Sequence, residues 1–197
     1  MGRLTGLEVR RKLFHIATGT IIAVLLLSGW LSAFHLTLLF FALLTIFLVY
    51  TRFRLPIIHE MLVQMEREEN MRTFAGIGAS FFVLGMALAA WLFPAAVAAG
   101  AILILAWGDG ISGLVGPYGK LPYINHRKAW EGILAGIAAG TLAASFAVPF
   151  VQALSAAAVA MLLEGLDLKL GSWKVDDNLL IPLVAGVIML AVRSLAP

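Results

Sequence analysis

The chain has no cysteine in 197 residues. That excludes disulfides, Cys-ligated zinc and thiol catalysis. It says little about compartment, because a membrane protein needs no disulfide staple. Charge is scarce as well. Only 13% of the residues are Asp, Glu, Lys or Arg, against about a quarter in an ordinary soluble domain. The pattern GxxxxGK[ST] does not occur, which excludes a P-loop. No internal repeat and no low-complexity linker breaks the chain, and no nucleic-acid partner is expected. No small-x-small cleavage site follows Arg10, Arg11, Lys12 and the apolar run from Ile16 to Leu27, so this start reads as a retained first helix and not a signal peptide.

Apolar side chains make up 61% of the residues, and the mean hydropathy is +0.98. One globular core cannot bury that excess; it needs lipid. The sequence therefore predicts an integral membrane protein of one domain, 1–197, with an all-α polytopic helix bundle. A span takes roughly 20 apolar residues, with a range of about 17–25. Seven candidate transmembrane helices fit, at about 13–30, 33–50, 74–92, 94–110, 132–149, 150–165 and 179–195. The fourth and sixth are short. Trp30, Trp91 and Phe93 fall at the expected interfaces, as aromatic belts do.

With the N-terminus in the cytoplasm, the inner loops are 1–12, 51–73, 111–131 and 166–178. All eleven Asp and Glu, and every Lys and Arg except Arg193, then lie in these loops or at the inner helix ends. The positive-inside rule supports that orientation. The outer turns 28–32, 92–94 and 148–150 are short and uncharged. Ionic chemistry confined to the cytoplasmic face predicts work on a cytoplasmic reagent together with a lipid. Segment 52–72 differs: Ile57, Ile58, Met61, Leu62 and Met65 recur at helical spacing among charges, as in an amphipathic helix lying on the membrane surface.

Four polar constellations share the inner face. Asp109 ends a short apolar run, and an ionisable group near membrane depth is a functional candidate; it would hold Mg²⁺ against nucleotide phosphates or cap a following turn. Gly108, Gly110, Gly113, Gly116 and Gly119 recur at near-regular spacing, which suits close helix packing or a backbone cradle for phosphates. Lys120, His126, Arg127 and Lys128 suit a polyphosphate, an anionic headgroup or an ordinary positive-inside loop. Glu131 then opens the next helix, where a carboxylate is favoured. Glu164 and Asp167 share a helix face; Asp177 and Asn178 immediately precede the last span and would cap it, or with Asp176 would complete a metal site with Asp109. Arg11, Lys12 and His15 stand at the start of the first helix.

These stretches resemble the CTP-dependent lipid-alcohol kinases, the group of phytol kinase, dolichol (polyprenol) kinase and CTP-using diacylglycerol kinase. The resemblance runs nearly end to end. It rests on RRKLFHIATG (10–19), EREENMRTFAG (66–76), GDGISGLVGPYGKLPYINHRKAWEG (108–132) and EGLDLKLGSWKVDDNLLIPL (164–183). Three positions depart from the pattern. Gly113 stands where phytol kinases tend to have a second Asp, Pro117 where an Arg is common, and Ala129 where Ser or Thr follows the Lys. KAWEG also resembles the KTWEG of CDP-diacylglycerol synthases.

The resemblance implies a kinase moving the γ-phosphoryl of CTP to the hydroxyl of a long isoprenoid alcohol at the cytoplasmic face. Mg²⁺ would sit on Asp109 with Asp176, Asp177 or Asn178. Gly108, Gly110, Gly116, Gly119, Lys12, Lys120, Arg127 and Lys128 would hold the nucleotide. Glu131, Glu164 or His15 would orient or deprotonate the acceptor. The expected partners are membrane lipid, the alcohol and the nucleotide, and the glycine-rich faces allow a homodimer. The alternatives are a cytidylyltransferase like the CDP-diacylglycerol synthases, and a small transporter or scaffold.

Overall fold

In the computed structural model, residues 4–66, 68–72, 74–124, 128–166, 168–170 and 173–195 are described. Thr5 opens α1 (Gly6–Leu27), its Oγ1 accepting the Glu8 N–H at 3.3 Å. A turn through Gly29, at φ +76°, leads to α2 (Ala33–Phe53). Pro56 occupies the first position of α3 (Pro56–Met65), where its missing N–H costs nothing. The short α4 (Glu68–Arg72) follows. Gly76, at φ +87°, then opens α5 (Ile77–Leu92). The chain continues through α6 (Ala95–Leu103), a π-helical segment (Ile104–Asp109), α7 (Gly110–Val115) and a 3₁₀ turn (Gly116–Tyr118). Last come α8 (Trp130–Ala144), α9 (Phe150–Gly165), an antiparallel pair of two-residue strands β1 (Lys169–Leu170) and β2 (Trp173–Lys174), and α10 (Asp177–Leu195).

Among the described residues the molecule is thus helical apart from one minimal β-pair, which falls inside the segment 166–178 read as a loop. Helices occupy all seven apolar segments expected from the sequence. Three are long and apolar enough to cross a membrane: Ala33–Phe53, Asp177–Leu195 and the continuous stretch Ala95–Tyr118. That last stretch corrects an expectation. The fourth apolar segment looked short and ended at 110, with a turn at Gly108–Asp109–Gly110. The helix instead runs on to 118. Its glycines do not break it, because they let neighbours close in and the packing holds the turn. A Cβ on Gly110 would meet Ile16 Cγ1 at 2.5 Å, and one on Gly132 would meet Gly116 Cα at 2.7 Å.

α6 is the central helix. Every residue from Val97 to Ala106 is buried, as expected of a helix that is apolar all round. Ile102, Ile104 and Leu105 pack with Met86 of α5, Ile133 of α8, Met161 of α9, and Ile181 and Met189 of α10. The outer surface carries large apolar side chains, among them Phe14, Ile21, Leu38, Phe41 and Phe150. A belt of that extent is not tolerated in water, so the chain is a membrane protein. α3 lies apart from the main core. Leu62 is buried against Phe47, Tyr50 and Ala75, while Ile57 and Met61 point outward. The surface helix expected over 52–72 is therefore two helices, interrupted at the extended residue Glu66.

Candidate active site

α1 runs antiparallel to the 104–115 stretch. Lys12 lies against Gly113, Ile16 against Gly110 and Gly19 against Ala106. This register brings the charged start of α1 beside Asp109. Lys12 Nζ donates to Asp109 Oδ2 at 2.7 Å and to the Asp109 carbonyl at 3.2 Å. His15 Nε2 stands 3.7 Å from the same carboxylate oxygen and 3.3 Å from the Leu105 carbonyl. The imidazole also lies against Phe82, with ring centroids 4.0 Å apart and the rings tilted by 32°. A carboxylate this enclosed persists only with a counter-ion, and Lys12 is that ion. Arg11 turns away to Glu8, at 3.1 Å. The π-helical segment ends at Asp109 itself. Such wide turns recur at functional sites, because one extra residue per turn re-aims the side chains.

A second cluster faces the first. Lys128 pairs directly with Glu164 Oε1, reaches the Glu164 carbonyl at 3.3 Å, and lies 3.9 Å from Asp177 Oδ2. Glu164, at the end of α9, is only 2% exposed, and its Oε2 has no hydrogen-bond partner among the described residues. Lys128 is close enough for its charge to act on Asp109, so the two clusters share one space at one end of the bundle. Asp176 acts locally. Its Oδ1 accepts the Asn178 N–H at 2.9 Å and caps α10. Pro182 has no N–H to return to the Asn178 carbonyl, and that oxygen instead presses on Gly85 of α5.

The loop between these clusters is clamped from α8. Glu131 Oε1 accepts the Lys120 N–H at 2.7 Å, and both carboxylate oxygens lie 3.2 Å from the Leu121 N–H. These backbone donors, with Lys120 foremost, hold the exposed Glu131 carboxyl below its ordinary range. Across the loop, Tyr123 N–H donates to the Lys128 carbonyl at 2.8 Å and Trp130 N–H to the Leu121 carbonyl at 2.9 Å. Glu131 therefore organises the loop, and the side chain of Lys120 is left exposed.

The glycines read from the sequence are places of close packing. Gly108 meets Met161 and the Gly136 carbonyl, Gly116 meets Gly132, and Gly119 meets Ala129 and Glu131. Two departures from the family pattern acquire a location. Gly113 lies against the Lys12 side chain, and Ala129 is buried beneath Gly119. Arg127, His126 and Asp167 lie outside the described residues.

No group of three or more His, Asp or Glu converges as a metal site among the described residues. Asp109 and His15 lie in one cluster, Glu164 and Asp177 in the other. That donor set still fits Mg²⁺, which commonly takes one or two carboxylates and completes its shell with phosphate oxygens and water. The unpartnered buried Oε2 of Glu164 is an oxygen donor of the required kind.

Two features were not readable in the sequence. The first is a groove of about 450 Å³ between α1, the 103–111 stretch and α8. At its head Trp107 Nε1 donates to Thr20 Oγ1 at 3.0 Å. A lone hydroxyl on an apolar helix and a Trp two residues before Asp109 were the available signals. The second is Glu66. It is buried, its Oε1 accepting from Asn70 at 2.7 Å and its Oε2 from the Gly76 N–H at 3.1 Å. It locks the connection from α3 to α5. Its place in a charged segment hid that role.

Two curated proteins resemble the chain over nearly its whole length. Phytol kinase of Synechocystis is 30% identical to it, over 94% of the chain and 79% of the relative. An uncharacterised protein of Methanocaldococcus jannaschii is 28% identical, over 92% of each. No family model and no solved structure matches.

Proposed function

The chain belongs to the family of lipid-alcohol kinases that includes phytol kinase, and from that premise we propose that it phosphorylates the hydroxyl of a long isoprenoid alcohol with CTP as donor. One observation carries the reading: two lysine–carboxylate clusters share one space at one end of an apolar helix bundle. Lys12 and Lys128 are matched by Asp109, Glu164 and Asp177. A magnesium triphosphate offers both groups better partners at once. Lys12 and Lys128 would hold the phosphate oxygens, and Asp109, Asp177 and the buried Oε2 of Glu164 would hold the metal. The bound Mg²⁺ would neutralise charge on the terminal phosphates.

The rest of the chemistry is positioning. The acceptor hydroxyl lies beside the Lys12–Asp109 pair, where His15, 3.7 Å from the Asp109 carboxylate, takes its proton. The hydroxyl oxygen forms a bond to the γ-phosphorus, the bond to the β–γ bridging oxygen breaks, and CDP leaves. Glu131 holds the backbone at Lys120 and Leu121, which would place the Lys120 side chain at the phosphates. The charge distribution supports a seven-span bundle with the N-terminus and this site at the cytoplasmic face.

The test uses purified protein, γ-labelled nucleotides, Mg²⁺ and a panel of prenols. Labelled lipid phosphate from CTP, lost in Asp109→Asn, is expected. No labelled lipid, with Asp109→Asn indistinguishable from the parent, would refute the kinase. Release of pyrophosphate in place of CDP would identify a cytidylyltransferase, the reading that the KAWEG run at 128–132 keeps in play.

A further inference from the structure

Gly113 lacks a side chain for a reason of space, not of backbone. It lies within α7, and the glycines at positive φ among the described residues are Gly29 and Gly76. No conformational demand keeps an alanine out of position 113, and alanine is the better helix former. Among Gly108, Gly110, Gly113, Gly116 and Gly119, only Gly113 has its three nearest neighbours on one charged side chain. They are Cδ, Cε and Nζ of Lys12, and a Cβ at 113 would stand 2.9 Å from that Nζ and closer still to Cε. The lysine stem therefore lies flat on the glycine. Its tip turns to Asp109, 2.7 Å from Oδ2 and 3.2 Å from the carbonyl. α1 cannot yield in its place, because Ile16 is packed on Gly110 and Gly19 on Ala106. A side chain at 113 would move the flexible end of Lys12 and leave the helices where they are.

That contact decides which cations reach Asp109. A divalent ion needs the carboxylate oxygens. The Lys12 ammonium already holds Oδ2, and His15 Nε2 stands 3.7 Å from the same oxygen. An ion arriving alone meets a carboxylate whose charge is matched, with a like charge beside it in an enclosed place where screening is weak. An ion carried on a polyphosphate brings acceptors for the ammonium, since phosphate oxygens bind lysine strongly. Lys12 then has somewhere to go, and the carboxylate is freed as the ion arrives. We propose that Gly113 is a positioning residue for Lys12, and that Lys12 is a cap that closes Asp109 to a bare divalent cation and opens it to one that arrives on a polyphosphate. The opening rests on the kinase reading. The closure rests on the Gly113–Lys12–Asp109 contacts alone.

The test needs no catalysis. Full-length protein in phosphatidylcholine nanodiscs is titrated with Mn²⁺ without nucleotide, and free Mn²⁺ is read by electron paramagnetic resonance. The parent and Asp109→Asn should bind alike. Lys12→Met and Gly113→Ala should each raise Mn²⁺ affinity about 10–100-fold, the scale on which groups around a ligand tune a metal. Adding Asp109→Asn to either variant should abolish the gain. Asp109-dependent binding of bare Mn²⁺ by the parent, or no gain in folded Gly113→Ala, would overturn the proposal. Where Lys12→Met fails to fold, Gly113→Ala decides alone. Only the end of a flexible side chain has to move there, so its unfolding midpoint should match the parent's; a large drop would show that the helices part and would overturn the role of Gly113. Adding CTP to the parent should then bring Asp109-dependent Mn²⁺ binding. Closure to bare Mn²⁺ without that uptake would overturn the opening by polyphosphate, and with it the nucleotide reading, while the closure stands. Uptake with CTP but no lipid phosphorylation would sink the kinase reading alone.

Discussion

At the residue scale, Asp109 and Lys12 are best understood as one unit. Each is largely enclosed, at 15% and 18% side-chain exposure, and each is tolerable because of the other. Removing one partner strands the other charge, which costs about 3–5 kcal/mol in a buried pair. Lys12→Met should therefore lower the unfolding midpoint of the detergent-solubilised protein markedly. The double variant Lys12→Met/Asp109→Asn should recover most of that loss in the same assay, while lipid phosphorylation stays absent. Asp109→Asn alone should cut kcat about 10²–10³-fold, the usual effect of removing one preorganised charged group. Additive losses of stability in the double variant would show that the two side chains do not depend on each other. Asp109 and Lys12 were both legible as candidates. Their direct pairing was not, because 97 positions separate them and nothing local specifies the register of α1 against α7.

At the element scale, the decisive contact is α8 on the 104–118 stretch. Gly132 lies where a Cβ would meet Gly116 Cα at 2.7 Å and the Ser112 carbonyl at 3.0 Å. Both obstacles are backbone, so the helices must separate to admit it. Gly132→Ala should cost about 1–3 kcal/mol as an overpacking change. It should also lower activity, since Asp109 rides on the displaced helix; thermal unfolding and turnover would read the two effects. Glu131, one residue earlier, makes a pH-dependent clamp. Its folded carboxyl is depressed by the Lys120 and Leu121 N–H groups. Its contribution is therefore complete above the ordinary glutamate pKa and fades as pH falls through the lower folded value. Amide exchange at Lys120 and Leu121 should stay slow from neutrality down to that range and accelerate below it. In Glu131→Gln the exchange should be faster at neutral pH. Helix positions were readable because apolar runs bounded by Pro94, Pro149 and glycine turns fix them. The continuation of the fourth helix through Gly108–Asp109–Gly110 was not readable. Local preference says turn there, and only the fit of α1 and α8 into the glycine faces overrides it.

At the scale of the whole molecule, the Lys12–Asp109 and Lys128–Glu164 clusters share one end of the bundle. The absence of cysteine makes the proposed orientation directly testable. Lys120→Cys should react with a membrane-impermeant maleimide in inverted vesicles but not in intact cells, and Trp30→Cys should do the reverse. Labelling of both from the same side would contradict the alternating topology. Composition alone determined that the chain needs lipid, because 61% apolar residues exceed what one core can hide. The distribution of charge gathered the functional candidates on one face, since charges are costly anywhere deeper. Those are properties of patterns along the chain. Which lysine meets which carboxylate, that Glu131 folds a loop, that the glycines serve contact between helices, and that Thr20, Trp107 and Ala139 border one groove were decided by tertiary structure. Such facts depend on how helices distant in sequence register against one another, and hydrophobic periodicity leaves that register open.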